Sequence, residues 1–114
     1  MILIWVINVS RKVILTGAEA EALIRLGERL RLARLRRNLS QADVAERAGV
    51  TRKVIVSLEA GAPGTSIGVL AKVMGVLGYP ERLAAMLESD PLGEDLEAVH
   101  GRRKAGGRAD VADF

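Results

Sequence analysis

Arg52 and Lys53 stand side by side behind Thr51, and Val56 follows three residues after Lys53. On a helix, those spacings bring the three side chains to one side of the cylinder. The guanidinium of Arg52 can donate two parallel hydrogen bonds to the O6 and N7 edge of guanine, a pairing worth about 1–3 kcal/mol of discrimination. Lys53 can reach the same edge more loosely or meet a phosphate, and Val56 suits the methyl group of thymine. Arg36 and Arg37 lie just ahead of a candidate helix start at Ser40, where they could bind a sugar-phosphate backbone with salt-dependent affinity. Both belong to a run of Arg25, Arg29, Arg31, Arg34, Arg36 and Arg37 in which Glu28 is the sole acid, and Arg102, Arg103, Lys104 and Arg108 form a second cluster. The net charge of +3 is modest. Its clustering matters more, because a polyanion responds to the local field.

Other chemistries find no support in the residues. His100 is the single histidine, and no group of His, Asp and Glu has metal-ligand spacing. The chain has no cysteine, which removes disulfides, thiolate ligands and cysteine nucleophiles together. The serines lack a neighbouring base, and the Gly61-Ala-Pro-Gly64 stretch is not followed by the Lys and Ser or Thr of a phosphate-binding loop. The expectation is a non-enzymatic protein with no metal and no cofactor.

The elements that must hold Arg52 and Lys53 in place read as helices. With 114 residues there is room for one core, and its 49% hydrophobic content includes only 3% aromatic residues, so Leu, Val, Ile, Ala and Met must fill it. Thr16-Gly-Ala-Glu19 has the form of a capping box, and Leu23, Leu26, Leu30 and Ala33 then recur at helical spacing up to about Arg37. Ser40 caps a second helix from Gln41 to Ala48, with Asp43 favoured by the positive end of its dipole. Gly49 stops it, Val50 plugs the core, and Thr51 caps a third helix that Gly61 closes. Val44, Ala45, Val50, Ile55 and Leu58 form the apolar seam between the second and third helices. That geometry turns the outer face of the third helix away from the domain, where it can enter a major groove. Ser66 opens a fourth helix with Ile67, Leu70, Val73, Met74 and Leu77 inward and Gly78 as its stop, and Pro80 starts a fifth with Leu83, Met86 and Leu87 on its apolar face.

The ends are less regular. Ile2–Val9 and Lys12–Thr16 read either as a hairpin or paired strand, or as a loosely packed extension. The opening apolar run lacks the basic residues and cleavage site of a signal sequence and is too short to span a bilayer. Beyond Asp90, Leu92, Leu96 and Val99 allow one weakly amphipathic turn-rich or helical element, and Gly101–Arg108 has no periodicity. The domain reading is therefore an extended segment over 1–16, a helical domain over 17–89 and a flexible tail over 90–114.

Leu30-Arg-Leu-Ala-Arg34, Leu39–Arg52 and Leu58-Glu-Ala-Gly61 occur in an order and spacing that resemble the Cro and phage-repressor-like, or XRE, helix-turn-helix family across roughly Leu26 to Leu77. The resemblance implies an all-α, five-helix lambda-repressor-like domain that binds double-stranded DNA as a transcriptional repressor. It further implies that Gln41 contacts phosphate and supports the first side chain of the recognition helix, and that Thr51 faces phosphate while capping that helix. Arg52, Lys53 and Val56 then meet base edges or the groove wall, and Arg34 and Glu59 form a structural ion pair. Many members have a cation where this chain has Ser57 and a polar residue where it has Val56, which suggests modest affinity for a single domain. A narrower likeness, in Leu26–Arg37, the Gly-Ala-Pro-Gly loop, Leu77-Gly78 and Asp90–Leu96, is to HipB-type antitoxins that repress their own operon and bind a HipA-type kinase toxin. A solitary regulator and an interaction module without effective DNA binding are the alternatives. One domain covers about one half-site, so a homodimer is expected, with the N-terminal strand or the surface around Leu83 and Leu87 as its contact. A cytoplasmic location fits all these readings.

Overall fold

A computed structural model describes residues 13–101. Its order is α1 (Gly17–Arg36), α2 (Gln41–Ala48), α3 (Arg52–Glu59), α4 (Ile67–Leu77), a single 3-10 turn (Pro80–Arg82) and α5 (Pro91–His100). No strand occurs among the described residues. The Ile2–Val9 strand reading lies outside them, and 13–16 are neither strand nor helix.

Helix starts follow from side-chain oxygens that satisfy the first free amides. Thr16 Oγ1 accepts from the Glu19 amide at 3.2 Å while Glu19 Oε1 accepts from the Thr16 amide at 3.0 Å, completing the capping box of α1. Ser40 and Asp43 form the same reciprocal pair at the head of α2, at 2.9 and 2.8 Å. Asp43 is thus more than a charge near a dipole. The Ser40 amide, and then its side chain, hold the Asp43 carboxyl below the usual carboxylate range. Thr51 caps α3 and Ser66 caps α4 through their hydroxyls. Gly49, with φ of 72°, occupies the left-handed turn that ends α2 and sends the chain into α3.

The chain divides into two compact units, one running to Leu83 and one from Ala84. In the first, Leu30 of α1, Val44 and Ala45 of α2, Ile55 and Leu58 of α3, and Val73 and Leu77 of α4 form one buried cluster. Leu26, Ala33, Val50, Leu70 and Met74 pack against it, partly buried. The expected seam between α2 and α3 is therefore the centre of the core. Ile67 is the exception among the inward positions expected for α4: at 76% exposure it lies in the first turn with its side chain in water.

The helix expected from Pro80 does not form. Only Pro80–Arg82 make a 3-10 turn, and the segment to Ser89 is a succession of turns and bends. Leu87 has a φ of 66°, which an α-helix cannot accommodate, and Met86 and Leu87 are 68% and 82% exposed. Three apolar residues at helical spacing did not secure a helix because Met86 and Leu87 have no buried surface to meet. The fifth α-helix comes later. In the second unit Asp90 caps α5 through a bond from the Gly93 amide at 3.0 Å, and Pro91 occupies its first turn, so the helical option for Leu92, Leu96 and Val99 is the one realised. No residue of α5 is buried.

Candidate nucleic-acid interface

Ile55 and Leu58 face the core, and the opposite side of α3 carries Arg52, Lys53 and Val56, continued by its C-terminal cap Ala60, all exposed. These residues fall on one stripe because 52, 56 and 60 repeat every four residues and 53 lies a quarter-turn beside them. The stripe presents two cations and two small apolar groups, with no acid among its residues. Thr51 adds an exposed side chain at the N-terminal end of α3. A rigid helix with this face can enter the major groove, where guanidinium and ammonium donors meet guanine acceptors and a branched methyl group meets thymine.

Ser57 lies elsewhere. It is half-buried in a crevice of 410 Å³ bounded by α3, the Ala62–Ser66 loop and Val69, and its carbonyl accepts from the Ala62 amide at 3.0 Å. Lys53 shares the rim of that crevice. A serine here removes a cation from the flank of α3 rather than from the middle of its outer face.

The position of α3 is fixed by an internal polar clamp. Arg34, on α1, is 7% exposed and uses all three guanidinium nitrogens. Its Nε and Nη2 donate to the two carboxylate oxygens of Glu59 at 2.7 and 2.9 Å, and its Nη1 donates to the Leu39 carbonyl at 2.9 Å. One side chain thus joins α1, the turn before α2, and the end of α3. The side-chain hydrogen bond to Glu59 raises the Arg34 pKa against the opposing effect of burial, which keeps the guanidinium charged. Gln41 completes the clamp through Nε2, which donates to Glu59 Oε1 at 3.1 Å. Its amide is therefore held by the last residue of α3, not the first. A primary amide has two N–H donors, so one remains for an outside acceptor.

Gly27 makes the clamp possible, and nothing in the sequence reading singled it out. A Cβ there would overlap the Glu59 carbonyl and approach the Leu58 carbonyl to 3.0 Å. The mid-helix glycine, which costs about 1 kcal/mol in helix propensity, lets α1 cross the end of α3 backbone to backbone. Gly61 repeats the device with a φ of 80° and a Cβ position only 2.7 Å from the Ile24 Cα. The visible signal was a glycine inside an otherwise strong helical pattern, which in a packed protein marks a close approach.

Arg36 and Arg37 are exposed but belong to a different surface. They line a groove between α1 and the Met74–Tyr79 segment. Arg37 Nη1 donates to the Ala33 carbonyl at 2.7 Å, and its guanidinium lies 5.8 Å from the centre of the Tyr79 ring. The structure thus brings Gln41, Arg34 and Glu59 into one cluster and puts Arg52, Lys53 and Val56 on one face, while Arg36 and Arg37 join neither group.

Comparison with known proteins agrees with this geometry. Residues 30–83 match the family described as Helix-turn-helix, a span that includes the C-terminal end of α1 and all of α2, α3 and α4. The chain is also 42% identical over 53 residues to y4mF of Sinorhizobium fredii, named as an uncharacterized HTH-type transcriptional regulator; the aligned part is 46% of this chain and 70% of that protein. No solved structure gives a significant match. Among the described residues no helix is long and apolar enough to cross a membrane. The clamped α2–α3 pair, the cationic outer stripe of α3 and the match to that regulator lead to one assignment: the chain belongs to the XRE-type helix-turn-helix family of DNA-binding transcription regulators.

Proposed function

We propose that the protein is a sequence-specific repressor that binds its operator as a homodimer, with Arg52 and Lys53 reading bases from the major groove. The observation that carries this reading is the exposed stripe of Arg52, Lys53, Val56 and Ala60 on a helix whose opposite face is buried. Arg52 supplies the bidentate donor, Lys53 a second cation, and Val56 apolar contact with a thymine methyl. Gln41 and Thr51 contact phosphate on either side of the turn, and the Gln41 amide does so with the proton that Glu59 leaves unused. Arg36 and Arg37 contribute to the positive field that draws the duplex in, since Arg37 is already bonded to α1 and lies near Tyr79. A dimer follows from size, because one recognition helix reads a single half-site and two copies spaced one turn apart supply useful specificity.

Fluorescence anisotropy with a duplex from the protein's own promoter, beside a scrambled duplex of the same composition and at two salt concentrations, tests the proposal. The expected result is tighter binding to the promoter at both salts. Equal affinity for the two duplexes would favour an interaction module that keeps the fold without reading DNA.

The antitoxin role is the finer form of the same reading, supported by the likeness of Leu26–Arg37 and Asp90–Leu96 to HipB-type sequences. In that case a HipA-type kinase binds the repressor, and the operon is controlled by both proteins. Co-expression with the neighbouring gene tests it. A stable complex with a kinase-fold protein is expected, and full operator repression by this chain alone, with no such neighbour, marks a solitary regulator.

A further inference from the structure

We draw no further inference here: the strongest candidate, the arginine-rimmed groove between α1 and the Met74–Tyr79 segment, carries nothing because nothing in the structure shows what covers it.

Discussion

The α2–α3 region and the segment beyond Leu83 are both rich in helix-forming residues, yet they use them differently. In the first, Val44 and Ile55 are each 1% exposed, and the carboxylate of Glu59 receives hydrogen bonds from Arg34 and Gln41 across long stretches of sequence. In the second, no residue from Ala84 to His100 is buried. A helix whose apolar face is met by other elements has a fixed orientation, and its outer residues become a defined surface. Apolar side chains without that cover remain available to a partner. The contrast explains how a helix of only eight residues can present a defined outer face.

The largest test of this contrast is Glu59→Ala. It leaves the Arg34 guanidinium buried without its counter-ion, and unfolding by denaturant should show a loss of about 3–5 kcal/mol. Replacing the pair together, as Arg34→Met with Glu59→Leu, should recover much of that loss, because an apolar pair leaves no buried charge. Recovery would show that the clamp specifies geometry more than it adds stability. Gly27→Ala comes next. Its gain in helix propensity is outweighed by the clash with the Glu59 backbone, and a net loss of about 1–3 kcal/mol is expected in the same measurement.

Ser40→Ala should cost about 1 kcal/mol by removing the hydroxyl that caps α2. Its partner gives a pH signature. The folded pKa of Asp43 lies below its ordinary value, so the stability it contributes is complete above the unfolded pKa and disappears as pH falls through the folded one. Asp43→Asn should therefore be less stable near neutrality and show a shallower loss in acid, which thermal melts across that pH range can resolve. The smallest effect is expected beyond Leu83, where Met86→Ala removes a side chain that is 68% exposed and should change the unfolding free energy by less than about 0.5 kcal/mol. A large loss at Met86 would erase the distinction between the two regions.

Much of the fold up to Gly78 was legible because its signals are local. Thr16 with Glu19, Ser40, Gly49, Thr51, Ser66 and Gly78 each act within a few residues, so reading along the chain located the helix ends. The seam of Val44, Ile55 and Leu58 followed from periodicity. The Arg34–Glu59 pair came from resemblance alone, since 25 residues separate the partners and no periodic rule joins them. The contact of Gly27 with the Glu59 backbone and the bond from Gln41 to Glu59 stayed hidden for the same reason. The helix expected at Pro80 failed because spacing shows which residues would share a face, not whether another surface meets it. Arg36 and Arg37 were grouped with the DNA contacts by their proximity to Ser40, and what periodicity could not show is that both line a groove with Tyr79, with the Arg37 guanidinium near its ring.

The central claim is that the outer stripe of α3 reads bases while the Arg34–Glu59 pair behind it only holds the helix in place. The most direct measurement is the ratio of promoter to scrambled-duplex affinity for Arg52→Ala with Lys53→Ala, compared with wild type at the same salt. Loss of base contacts should reduce that ratio roughly tenfold or more, with the melting temperature nearly unchanged. Equal weakening on both duplexes, with the ratio preserved, would mean that these residues serve only the phosphate backbone and would contradict the account.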